Sequence, residues 1–168
     1  MLSEITIRPT TAADMAAIDT LLSESYPVLL GPDYETEVLE TSLPVIARAR
    51  PELVRCGSYY VAEDSAGRAL AAGGWTHTGP QGGVGPRDVG HIRHVVTHPD
   101  ATRQGLGSAI LEHCFDKARA QGITWLLCQS TRTAVPFYRI MGFEDRAEID
   151  ITLEPGITFP AVEMARVL

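Results

Sequence analysis

Cysteine is scarce in this sequence: Cys56, Cys114 and Cys128 are the only three, and no pair has CxxC spacing. An odd count without that spacing argues against a disulfide framework and a thiolate zinc site, and points to a reducing, cytoplasmic setting. Long apolar runs are missing as well. Nothing approaches the ~20 residues that span a bilayer, and the opening MLSEITIRP lacks a basic segment followed by an apolar stretch, so neither membrane anchoring nor secretion is expected. Positive charge is in deficit, with 14 Lys and Arg against 21 Asp and Glu and a net charge of −7. That balance argues against a nucleic-acid partner held by general phosphate attraction, and any anion must be bound by local geometry.

What is present suffices for one core. The 168 residues, 45% of them hydrophobic, fit a single domain over 1–168. Ile5 to Arg8 alternates like a short strand stopped by Pro9, and Met15, Ile18, Leu21 and Leu22 mark the buried face of a helix from Ala12 to Glu24, broken by Tyr26, Pro27, Gly31 and Pro32. Tyr34 to Val54 reads as helix kinked or divided by Pro44 and Pro51. Ser58 to Glu63 and Ala69 to His77 form a hairpin around the Asp64 to Gly67 turn, and Gly79 to Pro86 is a glycine-rich loop. Val89 to Thr97 is a strand ended by His98-Pro99, Gly105 to Ala120 an amphipathic helix, and Ile123 to Gln129 a strand covered on both faces. A short helix over Thr133 to Met141 and strands at Ala147 to Leu153 and Ala161 to Leu168 complete an α/β domain, with Pro155-Gly156 and Pro160 between those strands.

The stretch Val95 to Ser108 runs from a strand through a turn bearing Gly105 and Gly107 into a helix. Helix-start N–H groups lack internal partners and sit at the positive end of the dipole, and the glycines let an anion approach the backbone. A dinucleotide fingerprint would need glycine where Ile110 stands, and a P-loop would need Gly-Lys-Ser/Thr.

Thr102-Arg103-Gln104-Gly105-Leu106-Gly107 resembles the [R/Q]-x-x-G-x-[G/A] signature of the GNAT superfamily of N-acetyltransferases, and Val135-Pro136-Phe137-Tyr138 with Met141-Gly142-Phe143 is similar to that family's later FY and GF signature. Thr102 replaces the first Arg or Gln, and Thr131 stands where many members carry Asn. The resemblance implies a mixed, mostly antiparallel central sheet flanked by helices and splayed between the fourth and fifth strands. It further implies acetyl-CoA as cosubstrate, its pantetheine arm on the backbone of Val95, Val96 and Thr97 and its pyrophosphate on Arg103, Gln104, Gly105, Leu106, Gly107 and Ser108, with Thr131 as a further cofactor-binding residue. A small-molecule or peptide amine would be the acceptor. A CoA-binding sensor without turnover is the alternative.

By the same resemblance, Tyr138 is the candidate acid for the departing thiolate, and a backbone N–H near Val95 or Val96 the oxyanion donor. His91 is the candidate base, with His94 and Asp88 behind it and water as a further option. Period two along the strand predicts that His91, Arg93, Val95 and Thr97 share one face. His91 then points away from His94 and His98, so the three histidines do not suggest a metal site. Cys128 reads as a small buried hydrophobe, which disfavours a ping-pong route. Edge strands at the C-terminus are compatible with a homodimer.

Overall fold

The computed structural model describes residues 4–168. Strand β1 (Thr6–Pro9) leads through a single 3-10 turn at Ala12–Asp14 into helix α1 (Met15–Leu30), followed by α2 (Thr36–Ile46) and α3 (Pro51–Val54). Strands β2 (Tyr59–Glu63), β3 (Ala69–Thr76) and β4 (Val89–Thr97) form a meander, and α4 (Leu106–Ala120) crosses over to β5 (Trp125–Ser130). Helix α5 (Val135–Ile140) and the hairpin of β6 (Glu144–Glu154) and β7 (Ile157–Val167) close the chain. Among the described residues one seven-stranded sheet results, in the order β1-β2-β3-β4-β5-β7-β6, with only β4 and β5 parallel.

Both faces of the sheet are covered because its central strands alternate apolar residues toward each side. Tyr60, Ala62, Ala71 and Trp75 pack under α4, whose Ile110, Leu111, Cys114 and Phe115 form a fully buried stripe. Tyr59, Val61, Ala72 and Val96 pack on the other face under Ile18, Leu21 and Leu22 of α1. Each large side chain so buried contributes about 1.5–3 kcal/mol relative to exposure. Hydrophobic burial from both sides therefore holds the paired region of β3 and β4 rigid at the centre of the molecule.

Three prolines behave differently from the sequence-based expectation. Pro27 and Pro44 lie inside α1 and α2 without ending them. Both are on solvent-exposed faces, so the carbonyls of Ser23 and Glu40 that lose a helical donor are on exposed residues too, and buried Tyr26 and Leu30 hold α1 on the core beyond Pro27. Pro160 lies within β7, opposite Asp150 of β6 and past the residues that pair with β5, where its missing N–H breaks no ladder. Pro51 does divide the helical segment, as the first residue of α3.

Candidate active site

The site begins with a break in the alternation of β4. Val96 pairs with Ala72 but Arg93 pairs with Gly74, so β4 carries one extra residue, and His94 takes φ = 45°, a left-handed value uncommon for a non-glycine residue. The bulge overturns the expected common face for His91, Arg93, Val95 and Thr97. Ile92 and Val95 both belong to the α4 side, and Thr97 Oγ1 lies 3.3 Å from where a Cβ on Gly107 would stand. His91 and Arg93, alternating with Ile92, face away from α4. A period of two cannot survive an inserted residue. The Tyr59 hydroxyl, buried beneath α1, fixes the bulge by donating to the His94 carbonyl at 2.8 Å.

Beyond this point the two parallel strands separate. Val89, Gly90 and His91 pair with Trp125, Leu126 and Leu127, and there the ladder stops although β4 continues to Thr97 and β5 to Ser130. A cavity of about 410 Å3 opens in the gap, bounded by Val95 on one strand, by Cys128 and Ser130 on the other and by Thr131 just past its end. The edge of β4 facing this gap, including Val95, Val96 and Thr97, carries no strand partner. Such an edge pairs readily with an extended ligand.

The end of β4 delivers the chain to the start of α4. His98 closes the 3-10 turn Pro99–Ala101 by accepting the Asp100 N–H at 3.1 Å, and its other ring nitrogen meets Glu24 at 2.9 Å, so this histidine is structural. Arg103 (φ = 64°) and Gly105 (φ = 76°) then take left-handed conformations. The first α4 amide bonded within the helix is that of Ala109, to Gly105 at 3.0 Å, which leaves the N–H groups of Leu106, Gly107 and Ser108 free, as at any helix start. Gln104 and Arg103 are exposed beside them. Gly107 is packed between Thr97 Oγ1 and the Phe137 ring, at 3.3 and 3.4 Å from the position a Cβ would take.

Tyr138 lines the same gap from α5, only 5% exposed, among Phe137, Phe143 and Cys128. Burial first, and then the neighbouring Cys128 thiol, hold its phenol well above the ordinary value of 10, so it is protonated at neutral pH. Burial likewise pushes the Cys128 thiol up to about 12, which leaves no thiolate for nucleophilic attack. Thr131 lies at the head of the turn into α5, where its hydroxyl accepts the Ala134 N–H at 3.2 Å.

The candidate bases are separated. His91 lines a second cavity beneath the 79–86 loop, its ring carbon 3.4 Å from where a Gly79 Cβ would stand; Pro80, Gln81, Ile92, Cys128 and Gln129 border both cavities. Burial, then Arg93, lowers its pKa below 6.5. His94 lies in the larger cavity itself, where burial, then Arg50 and Arg93, push it down to about 4. Asp88 lines neither: it holds the start of β5 through Thr124. Among the described residues, no cluster of three His, Cys, Asp or Glu side chains could hold a metal, and no helix is long and apolar enough to cross a membrane.

Residues 55–145, which include the bulge, the gap, the glycine turn and Tyr138, match the acetyltransferase (GNAT) domain. The chain belongs to the GNAT acetyltransferase family. The whole fold is similar to that of a GCN5-related N-acetyltransferase from Rhodopseudomonas palustris, with a TM-score of 0.79 at 18% identity over 100% of this chain and 99% of the other. It is also similar to the PaiA N-acetyltransferase from Thermoplasma acidophilum solved with coenzyme A (TM-score 0.74, 15% identity, 98% and 99% covered). A third likeness is to the ribosomal-protein-S18-alanine N-acetyltransferase from Escherichia coli (TM-score 0.64, 19% identity, 98% and 94% covered). At these identities the likeness is one of fold. No curated protein matches the chain in sequence.

In this GNAT family member, several features of the site left no mark in the sequence. Arg50, at the entry to α3, reaches the same cavity as Arg93. Gln81 and Gln129 exchange two amide hydrogen bonds of 2.9 Å each and tie the 79–86 loop across β5. Neither pair has a spacing signal, because each joins segments that meet only in the folded chain.

Proposed function

We propose that this GNAT protein transfers the acetyl group of acetyl-CoA to a primary amine by direct attack in a ternary complex. The observation that carries this reading is the parting of β4 and β5 after His91 and Leu127, which opens a gap beside the unpaired end of β4, where Thr97 packs against Gly107 at the start of α4. The unpaired edge at Val95, Val96 and Thr97 suits an extended amide-bearing arm. The left-handed turn at Arg103 and Gly105 gathers the amides of Gln104 to Ser108 toward one phosphate-sized anion, which an otherwise acidic chain can hold by geometry.

In this reading a backbone N–H of the bulge region, at Val95 or Val96, hydrogen-bonds the thioester oxygen as charge builds on it. The amine nitrogen bonds to the acetyl carbon while the carbon–sulfur bond breaks. Tyr138, protonated and in the gap, donates its proton to the departing thiolate. His91, held neutral, takes the proton that the amine must lose, through water across the residues shared by the two cavities. Cys128 stays a thiol, which supports direct transfer over an acetylated enzyme.

Thermal unfolding with acetyl-CoA tests the cosubstrate. At 100 times Kd the ligand adds about 2.7 kcal/mol, expected to raise the midpoint by about 5–10 °C for a chain of this size. Thiol release on adding amines then reports turnover. An unmoved midpoint at saturating acetyl-CoA refutes the reading, and binding without release with any amine favours a sensor.

A further inference from the structure

The larger cavity is electrostatically one-sided. Its wall carries the guanidinium groups of Arg50 and Arg93 and the His94 ring, and no aspartate or glutamate, in a chain whose net charge is −7. Neither arginine forms an ion pair among the described residues, although both line a cavity rather than open surface. Arg93 uses one donor on Thr76 Oγ1, at 3.1 Å, and the Arg50 side chain makes no hydrogen bond among the described residues. Glu52 touches this charge only at longer range. Both arginines are half-buried, and each is a cation next to another cation.

Two like charges held together away from water are unfavourable unless an anion joins them, and a guanidinium offers a planar pair of donors that fits a carboxylate. The phosphates of CoA do not account for the pair. Arg93 stands four residues before Thr97 on β4, ~13 Å along the strand from the end that meets the glycine turn, and on the face away from α4. Apolar side chains of Ile46, Ile151, Leu153 and Phe159 border the same space.

We propose that the acceptor is a small amine carrying its own carboxylate, of the amino-acid type, with the carboxylate bound between Arg50 and Arg93 and the carbon skeleton against the apolar wall. This inference rests on the acetyl transfer argued above and names the acceptor class for the same site. The positive field has a second consequence. It opposes protonation of nearby bases, as at His94, where the two arginines add to the larger effect of burial, so it lowers the pKa of the bound acceptor's ammonium and favours the free amine that attacks.

The test pairs each of a set of L-amino acids with its carboxamide, which keeps the amine and removes the negative charge, and includes a polyamine and an alanine-initiated peptide. Thiol release should be at least about tenfold faster in kcat/KM for the acids, the cost of losing one charge-assisted contact. Arg93→Gln and Arg50→Gln should raise KM for the acids and erase the acid-to-amide ratio, while the midpoint shift given by acetyl-CoA stays as in the parent. Arg50→Lys keeps charge without the fork and should restore part of the ratio, which a merely structural arginine would not do. The same discrimination can be read without turnover. With CoA bound, N-acetyl amino acids should raise the unfolding midpoint and their carboxamides should not. Equal rates or equal midpoint shifts for acids and amides, preference for the polyamine or peptide, or a ratio that survives both glutamine variants overturns the proposal. Loss of the acetyl-CoA shift in the parent protein instead refutes the transfer reading itself.

Discussion

Tyr59→Phe isolates a single hydroxyl that holds the bulge of β4 in shape. The ring is 1% exposed and packs under α1, so phenylalanine preserves its volume and contacts, and only the 2.8 Å bond to the His94 carbonyl is lost. A net intramolecular hydrogen bond contributes about 0.5–1.5 kcal/mol, and leaving a buried acceptor unpaired costs about 1–3 kcal/mol. One such bond, with its acceptor on a residue that borders the larger cavity, gives an expected loss of about 1–2 kcal/mol. For a chain of this length that lowers the melting midpoint by about 2–8 °C. His94 holds a left-handed φ that only surrounding contacts enforce, and releasing one of them lets Val95 and Val96 drift from the direction proposed for the thioester oxygen. Urea unfolding and thiol release measured on the same variant should therefore show a lower midpoint and a lower kcat, with KM for the amine little changed. A variant as stable and as active as the parent would refute the claim that Tyr59 positions the bulge.

Tyr138→Phe should lower kcat by about a hundredfold, within the range for a lost general acid, and leave the acetyl-CoA midpoint shift intact. Gly107→Glu should abolish that shift, because any side chain there meets Thr97 and Phe137 and a carboxylate opposes a phosphate, as titration with acetyl-CoA would reveal. For His91, whose pKa lies below 6.5, kcat/KM should hold at neutral pH and fall as acid protonates the ring below that value; a His91→Ala pH profile that keeps this limb would remove the assignment. His94, held near 4 in the fold against 6.5 when free, contributes stability that is complete above pH 6.5. The unfolded chain takes up this proton first as pH falls, so up to ~3 kcal/mol should be lost between pH 6.5 and 4, and His94→Asn should flatten that part of the unfolding curve.

Much of the site's framework was readable from local pattern. The strand Val89 to Thr97 has the bounds expected, and the helix begins one residue after Gly105, because proline chemistry at His98-Pro99 and a left-handed glycine act within a few residues of themselves. The signature around Gly105 and the tyrosine at 138 likewise carry the family in contiguous residues. Prolines 27, 44 and 160 misled for the opposite reason. Whether a missing N–H ends an element depends on whether its orphaned partner is solvated or unpaired, and that is a property of the face on which the proline falls.

The sequence alone thus determined the order of elements and the glycine turn, both of which depend on spacing within one segment, and its resemblance to the family nominated the candidate acid. Tertiary structure decided the rest. The bulge at His94 exists because Tyr59, from another strand, bonds its carbonyl, and it reverses which β4 side chains share a face. The gap exists because the ladder between β4 and β5 stops at His91, and its charge comes from Arg50 and Arg93, which lie on separate elements and meet only across the folded sheet. Local pattern specifies backbone geometry, whereas electrostatic character and register arise from contacts between segments far apart in the chain.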